Sequence, residues 1–159
     1  MRKLLILGCI FILSGCTGTL PVRPENAVVQ QVIAAPGLNG DQIFERSQMW
    51  IAQSFHSAKA VLEYENKAEG VLIGNSNVAR PTSMIYLGGN DTVSFNMKEE
   101  IKDGRARLTF ANLTVNSYTS HLGATAELRE CEFDAVKEQL IDISKSLEAY
   151  LLKPAETNW

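Results

Sequence analysis

The stretch Thr92-Val-Ser-Phe-Asn-Met-Lys-Glu-Glu-Ile-Lys-Asp-Gly-Arg-Ala-Arg-Leu-Thr-Phe110 decides the fold class. Val93, Phe95 and Met97 alternate with Ser94, Asn96 and Lys98, the period-2 pattern of a strand with one buried face. Asp103-Gly104 is a two-residue turn signal, because both positions tolerate positive φ. Beyond it Ala106, Leu108 and Phe110 alternate again, whereas Leu113 and Val115 fall on the other parity. That one-residue slip near Ala111-Asn112 predicts a bulge or the end of pairing. An antiparallel hairpin over about residues 92–115 follows.

Further β structure is expected around it. Ala60 to Glu65 alternates, and a polar turn through Asn66 to Glu69 leads into Gly70-Val71-Leu72-Ile73-Gly74 as its partner. Met84 to Leu87 reads as another short strand, ended by Gly88-Gly89-Asn90-Asp91. At the other end Ala27 to Ala35 leans to strand through Val28, Val29, Val32 and Ile33. Pro36-Gly37 closes it, since proline removes a donor and glycine opens turn conformations. Residues 116–130 read as an ordered loop with a partial helix or a short strand.

Two helices complete the set. The first spans about Gly40 to Ser57, capped by Asn39 or Asp41, with Glu45 in its first turn. Ile43, Phe44, Trp50, Ile51 and Phe55 form its apolar stripe, and Ser47 and Ser54 lie in the same stripe. In the second, Phe133, Val136, Leu140, Ile143, Leu147 and Tyr150 recur at spacings of three and four until Pro154 stops it. A stripe this short is a core-packing face, not a coiled coil.

The amino terminus carries an address. Arg2 and Lys3 precede the apolar run Leu4 to Leu13, a length that suits a signal peptide and is too short to span a bilayer. Leu13-Ser14-Gly15-Cys16 resembles the bacterial lipobox, in which cleavage before the cysteine exposes a sulfur that carries diacylglycerol. The expected organisation is a signal peptide over residues 1–15 and a lipidated tether over 16–26. A single domain over 27–153 and a tail over 154–159 follow. Thr17 lacks the aspartate of the inner-membrane retention rule, so the periplasmic side of the outer membrane is favoured.

Composition narrows the function. The formal charge of −3 becomes about −5 once Arg2 and Lys3 are removed, the wrong sign for a general phosphate-backbone binder, so no nucleic-acid partner is expected. Cys9 leaves with the signal and Cys16 takes the lipid. Cys131 then remains as a buried or half-buried structural residue, and no intrachain disulfide is expected. Two distant histidines and one cysteine supply no metal-ligand spacing, so neither metal nor cofactor is expected.

Three stretches carry a family resemblance: Ile43-Phe44-Glu45-Arg46 with Trp50-Ile51, then Lys102 to Phe110, and more weakly Gly70 to Gly74. On these the chain resembles a bacterial family of unknown function with a TBP-like fold, whose members are small exported proteins, many of them lipoproteins. The resemblance extends over about Ala27 to Leu152. It implies an α+β fold, a curved antiparallel sheet with two helices packed on one face, in the order strand, helix, strands, helix. The DNA-binding role of the namesake does not follow, because a fold does not specify a function.

Catalytic signals are weak. His56 sits where a helix dipole favours a cation, and His121 lies in a polar loop. No Gly-x-Ser-x-Gly elbow is present, and Gly70 to Gly74 lacks the lysine of a phosphate loop. Glu63/Glu65 and Glu99/Glu100 read as solvent-facing strand positions, and no catalytic residue is assigned. Trp50 reads as core, while Trp159 is either a frayed end or a partner anchor. Arg105 and Arg107, two apart on one strand, share the outward face, with Lys98 and Lys102 on the adjoining strand as a candidate anion-facing patch. The expected function is a non-enzymatic envelope lipoprotein that binds another protein or ligand. A small envelope hydrolase or thiol enzyme using Cys131 or His121, and a structural subunit of an envelope assembly, are the alternatives.

Overall fold

In the computed structural model, which describes residues 20–23, 26–55, 62–81, 91–116 and 127–154, seven elements follow in chain order. They are β1 (Val29–Ala34), α1 (Gly40–Ser54), β2 (Leu62–Asn66), β3 (Val71–Ala79), β4 (Thr92–Lys102), β5 (Arg105–Asn116) and α2 (Glu130–Leu151). The strands form one antiparallel sheet in the order β1-β5-β4-β3-β2. Both helices pack on the same sheet face, as the α+β reading expects.

The hairpin forms as its sequence dictates. Lys102 pairs with Arg105 around a turn in which Gly104 has φ +74°. The turn also does a second job that its sequence does not announce. Gly104 N donates to the carbonyl of Leu38 (2.9 Å), and Asp103 Oδ1 accepts from Gly40 N (2.6 Å). Asp103 thereby satisfies an orphan N–H at the start of α1. Asn39 adds a capping box there: its Oδ1 accepts from Gln42 N (2.9 Å), and Gln42 Oε1 accepts from Asn39 N (3.0 Å).

The expected bulge is present. Asn112 has φ +55°, a region asparagine tolerates, and the β4–β5 register shifts between Ser94 and Asn96. The slip carries Leu113 and Val115 onto the parity that alternation after Phe110 would have sent outward. β3 is longer than expected. It runs on from Gly74 through Asn75, Ser76 and Asn77 to Ala79, and Asn75 to Ala79 pair with Asn96 through Thr92 of β4. These residues have low strand propensity, and cross-strand pairing overrides it. Gly70 belongs to the turn before β3: its φ is +64°, and a Cβ there would meet the Ile101 carbonyl at 2.6 Å.

Between sheet and helices lie Trp50, Phe110, Leu108, Leu140 and Leu147, all essentially buried. Trp50 meets Phe55 edge-on (5.5 Å) and donates from Nε1 to Ser146 Oγ (3.2 Å), tying α1 to α2. Helix α1 ends at Ser54, and α2 starts at Glu130, three residues before its first stripe residue. Residues 20–23 of the expected tether belong to the folded unit. Val22 N donates to Leu128 O (2.9 Å), Glu130 N donates to Leu20 O (3.2 Å), and Pro21 bridges Arg129. The short strand expected at Met84 to Leu87 lies outside the described residues. No helix among the described residues is long and apolar enough to cross a membrane.

Candidate functional site

Strand alternation sends one set of side chains to the helices and the other to an open face. On β4 and β5 the open set includes Lys98, Glu100, Lys102, Arg105 and Arg107, joined by Val32 and Ala34 of β1. Cross-strand register aligns them in rows: Val32 beside Arg107 beside Glu100, and Ala34 beside Arg105 beside Lys102. All four cations expected as a patch are therefore brought together.

Glu100 organises them, a role unforeseen in the sequence reading. Arg107 donates from Nε (2.9 Å) and Nη2 (2.6 Å) to Glu100 Oε2, and Lys98 Nζ stands 3.4 Å from Glu100 Oε1. The Arg107 hydrogen bonds, ahead of Lys98, hold the Glu100 carboxyl below its ordinary pKa. Lys102 and Arg105 make no ion pair among the described residues. A groove of about 250 Å³ opens here, lined by Val32, Glu100, Lys102, Arg105, Ala106 and Arg107.

Farther along the same face the side chains are amides. Asn112 donates to Asn96 Oδ1 (2.7 Å), Asn96 donates to Asn75, and Asn75 donates to Glu63. This ladder crosses four strands and gives the low-propensity end of β3 its side-chain partners.

One buried polar group departs from the sequence expectation, and two further charged side chains take roles that the sequence did not announce. Glu99, read as solvent-facing, is fully buried on the helix side of β4. Ser47 Oγ donates to its Oε1 (2.7 Å), while its Oε2 has no hydrogen-bond partner among the described residues. Burial pushes its pKa up to about 7, and the Ser47 hydrogen bond offsets only part of that. The signal was available, since Glu99 continues the parity of Val93, Phe95 and Met97. Glu132, also buried, accepts from Arg80 Nε (2.9 Å) and Nη2 (3.1 Å), and Arg80 Nη1 lies 3.4 Å from Asp91. Arg46 donates to the carbonyls of Leu151 (2.6 Å) and Lys153 (2.8 Å), capping α2.

The expectation of no intrachain disulfide is corrected: Cys131 is disulfide-bonded, and its partner lies outside the described residues. Cys16, His56, His121 and Trp159 also lie outside them. Among the described residues no cluster of His, Cys, Asp or Glu could hold a metal ion.

Residues 30–116 match the family described as a domain of unknown function (DUF4468) with TBP-like fold. The chain belongs to that family. Solved relatives agree with the architecture. One is a DUF4468 family protein from Bacteroides ovatus, 12% identical, covering 82% of this chain and 89% of that one at a TM-score of 0.62. Another is a TBP-like protein from Parabacteroides distasonis, also 12% identical, covering 80% and 96% at a TM-score of 0.53. At this identity the likeness establishes the DUF4468 fold and no activity. No curated protein matches the sequence.

Proposed function

We propose that this DUF4468 protein is a lipid-anchored, non-enzymatic binding module of the bacterial envelope, and that its open sheet face takes an anionic partner. The observation that carries the reading is the pair Lys102 and Arg105. Both rim a groove on the face opposite the helices, and neither is neutralised by a carboxylate among the described residues. The carboxyl with a near-neutral pKa, Glu99, is sealed in the core, where a substrate has no access to it.

The anchor point adds direction. Pro21 and Val22 sit beside Leu113 and Val115, toward one end of β5, whereas Arg105 begins the other end. At about 3.3 Å per residue the two ends stand roughly 30 Å apart. A chain tethered through Cys16 would hold its cations away from its own membrane and toward the periplasm. The chain's other cysteines are Cys9, which leaves with the signal, and Cys16, whose sulfur the lipid takes, so the lipid-anchored form does not keep an intrachain disulfide at Cys131.

Photo-crosslinking in cells tests the binding face. A crosslinker at Thr109, on the open face, should capture a discrete partner, and Lys102→Glu/Arg105→Glu should abolish the adduct. A crosslinker at Glu138, on the exposed side of α2, should capture none. Adducts that survive the double reversal, or that form equally from Glu138, would refute the reading.

A further inference from the structure

Among the described residues β1 is an outer strand with one edge unpaired, and its geometry specifies what that edge presents. Ala35 N donates to Gly104 O (2.8 Å), so the residue after β1 turns its main-chain groups toward the β4–β5 turn. In an antiparallel pair that orientation alternates with period two. Ile33, Gln31 and Val29 therefore bond to β5, while Gln30, Val32 and Ala34 aim their N–H and C=O groups at the open edge. The side chains of these same three residues lie on the cation-bearing face, beside Thr109, Arg107 and Arg105.

From this juxtaposition we infer that the β1 edge is a strand-addition site for an extended peptide carrying carboxylates at every second residue. The inference rests on the open face being the binding surface. A strand added to β1 bonds through Gln30, Val32 and Ala34, and each residue opposite them shares their sheet face. A carboxylate opposite Ala34 reaches Arg105 across a single methyl group. One opposite Val32, which is 65% exposed, comes over the groove toward Arg107. The separation of about 10 Å from the added strand to β5 is the sum of two strand-pair spacings, which a glutamate and an arginine side chain span together. The i, i+2 spacing of the arginines is matched by an i, i+2 spacing of acids, because both strands share the pleat.

A second copy of this chain fits poorly. Pairing two β1 edges would bring Arg105 and Arg107 of each copy toward those of the other, and cations beside an edge oppose self-pairing. The same charges favour an acidic strand, so edge and charge together select the occupant.

The test compares two peptides on the whole mature chain: one with glutamate alternating with threonine, one of equal composition with its glutamates contiguous. Anionic phosphatidylglycerol vesicles form a third arm. The alternating peptide should bind about tenfold more tightly than the contiguous one and should slow hydrogen exchange at the Val32 and Ala34 amides. Val32→Pro removes an outward donor, a change that edge strands accommodate, and should abolish binding without losing the fold. Arg105→Gln should weaken binding about fivefold, the scale of a partly exposed charge pair, and it serves independently if Val32→Pro does not fold. Equal affinity for the two peptides would overturn the inference. So would binding without amide protection, or a preference for vesicles over both peptides. If both peptides fail while the Thr109 crosslink persists, the occupant is wrong and the binding face stands.

Discussion

Replacing Glu99 with Gln should remove most of the pH dependence of stability between pH 5 and 8. Glu99 has an ordinary pKa of 4.5 when exposed and about 7 in the folded chain, where burial penalises its charge. The native state therefore holds the proton more tightly than the unfolded state. Stability from this group is fully present below pH 4.5 and is lost as pH rises through about 7. At 1.36 kcal/mol per unit, the difference amounts to about 3 kcal/mol, a large share of a typical domain's stability. Gln keeps the volume and can still accept from Ser47, so it imitates the neutral acid. Glu100, whose pKa is lowered, acts in the opposite sense and in a different window, losing its contribution only as pH falls below the ordinary carboxylate range. Urea denaturation at pH 5, 6, 7 and 8 separates these effects. Near pH 5 the two proteins should agree to within about 1 kcal/mol, and at pH 8 Glu99→Gln should be the more stable by about 2–3 kcal/mol. Parallel stability curves over this range would show that Glu99 has the same pKa folded and unfolded and would refute the reasoning.

Arg80→Met should destabilise by about 3–5 kcal/mol, because it strips the cation from buried Glu132. Adding Glu132→Gln should restore much of the loss, and a cost under about 1 kcal/mol for the single change in thermal or chemical denaturation would show the pair to be unimportant. Cys16→Ala should abolish fatty-acid labelling and leave the signal peptide uncleaved. Undiminished labelling of that variant would place the lipid elsewhere.

Elements whose causes lie within a few residues were legible from the chain alone. Asp103-Gly104 dictates a tight hairpin because of its own backbone preferences. The spacing of Phe133 to Tyr150 dictates a helix with one buried stripe, and the slip after Phe110 marks the bulge at Asn112. Parity also placed Arg105 and Arg107 on one outward face. What the sequence left open depends on residues far apart in the chain. Glu99 looked solvated because it is charged, and only the arrival of Ser47, 52 residues away, accommodates it in the core. The strand content of Asn75 to Ala79 comes from its β4 partner, not its own propensity. Arg46 finds its role only where the end of α2 meets α1. The candidate site follows the same division. Local alternation decides that four cations face outward, but strand order decides that Glu100 sits among them and that β1 ends the sheet beside them. Turn chemistry and periodicity are properties of neighbours in sequence; burial, charge pairing and free edges are properties of neighbours in space.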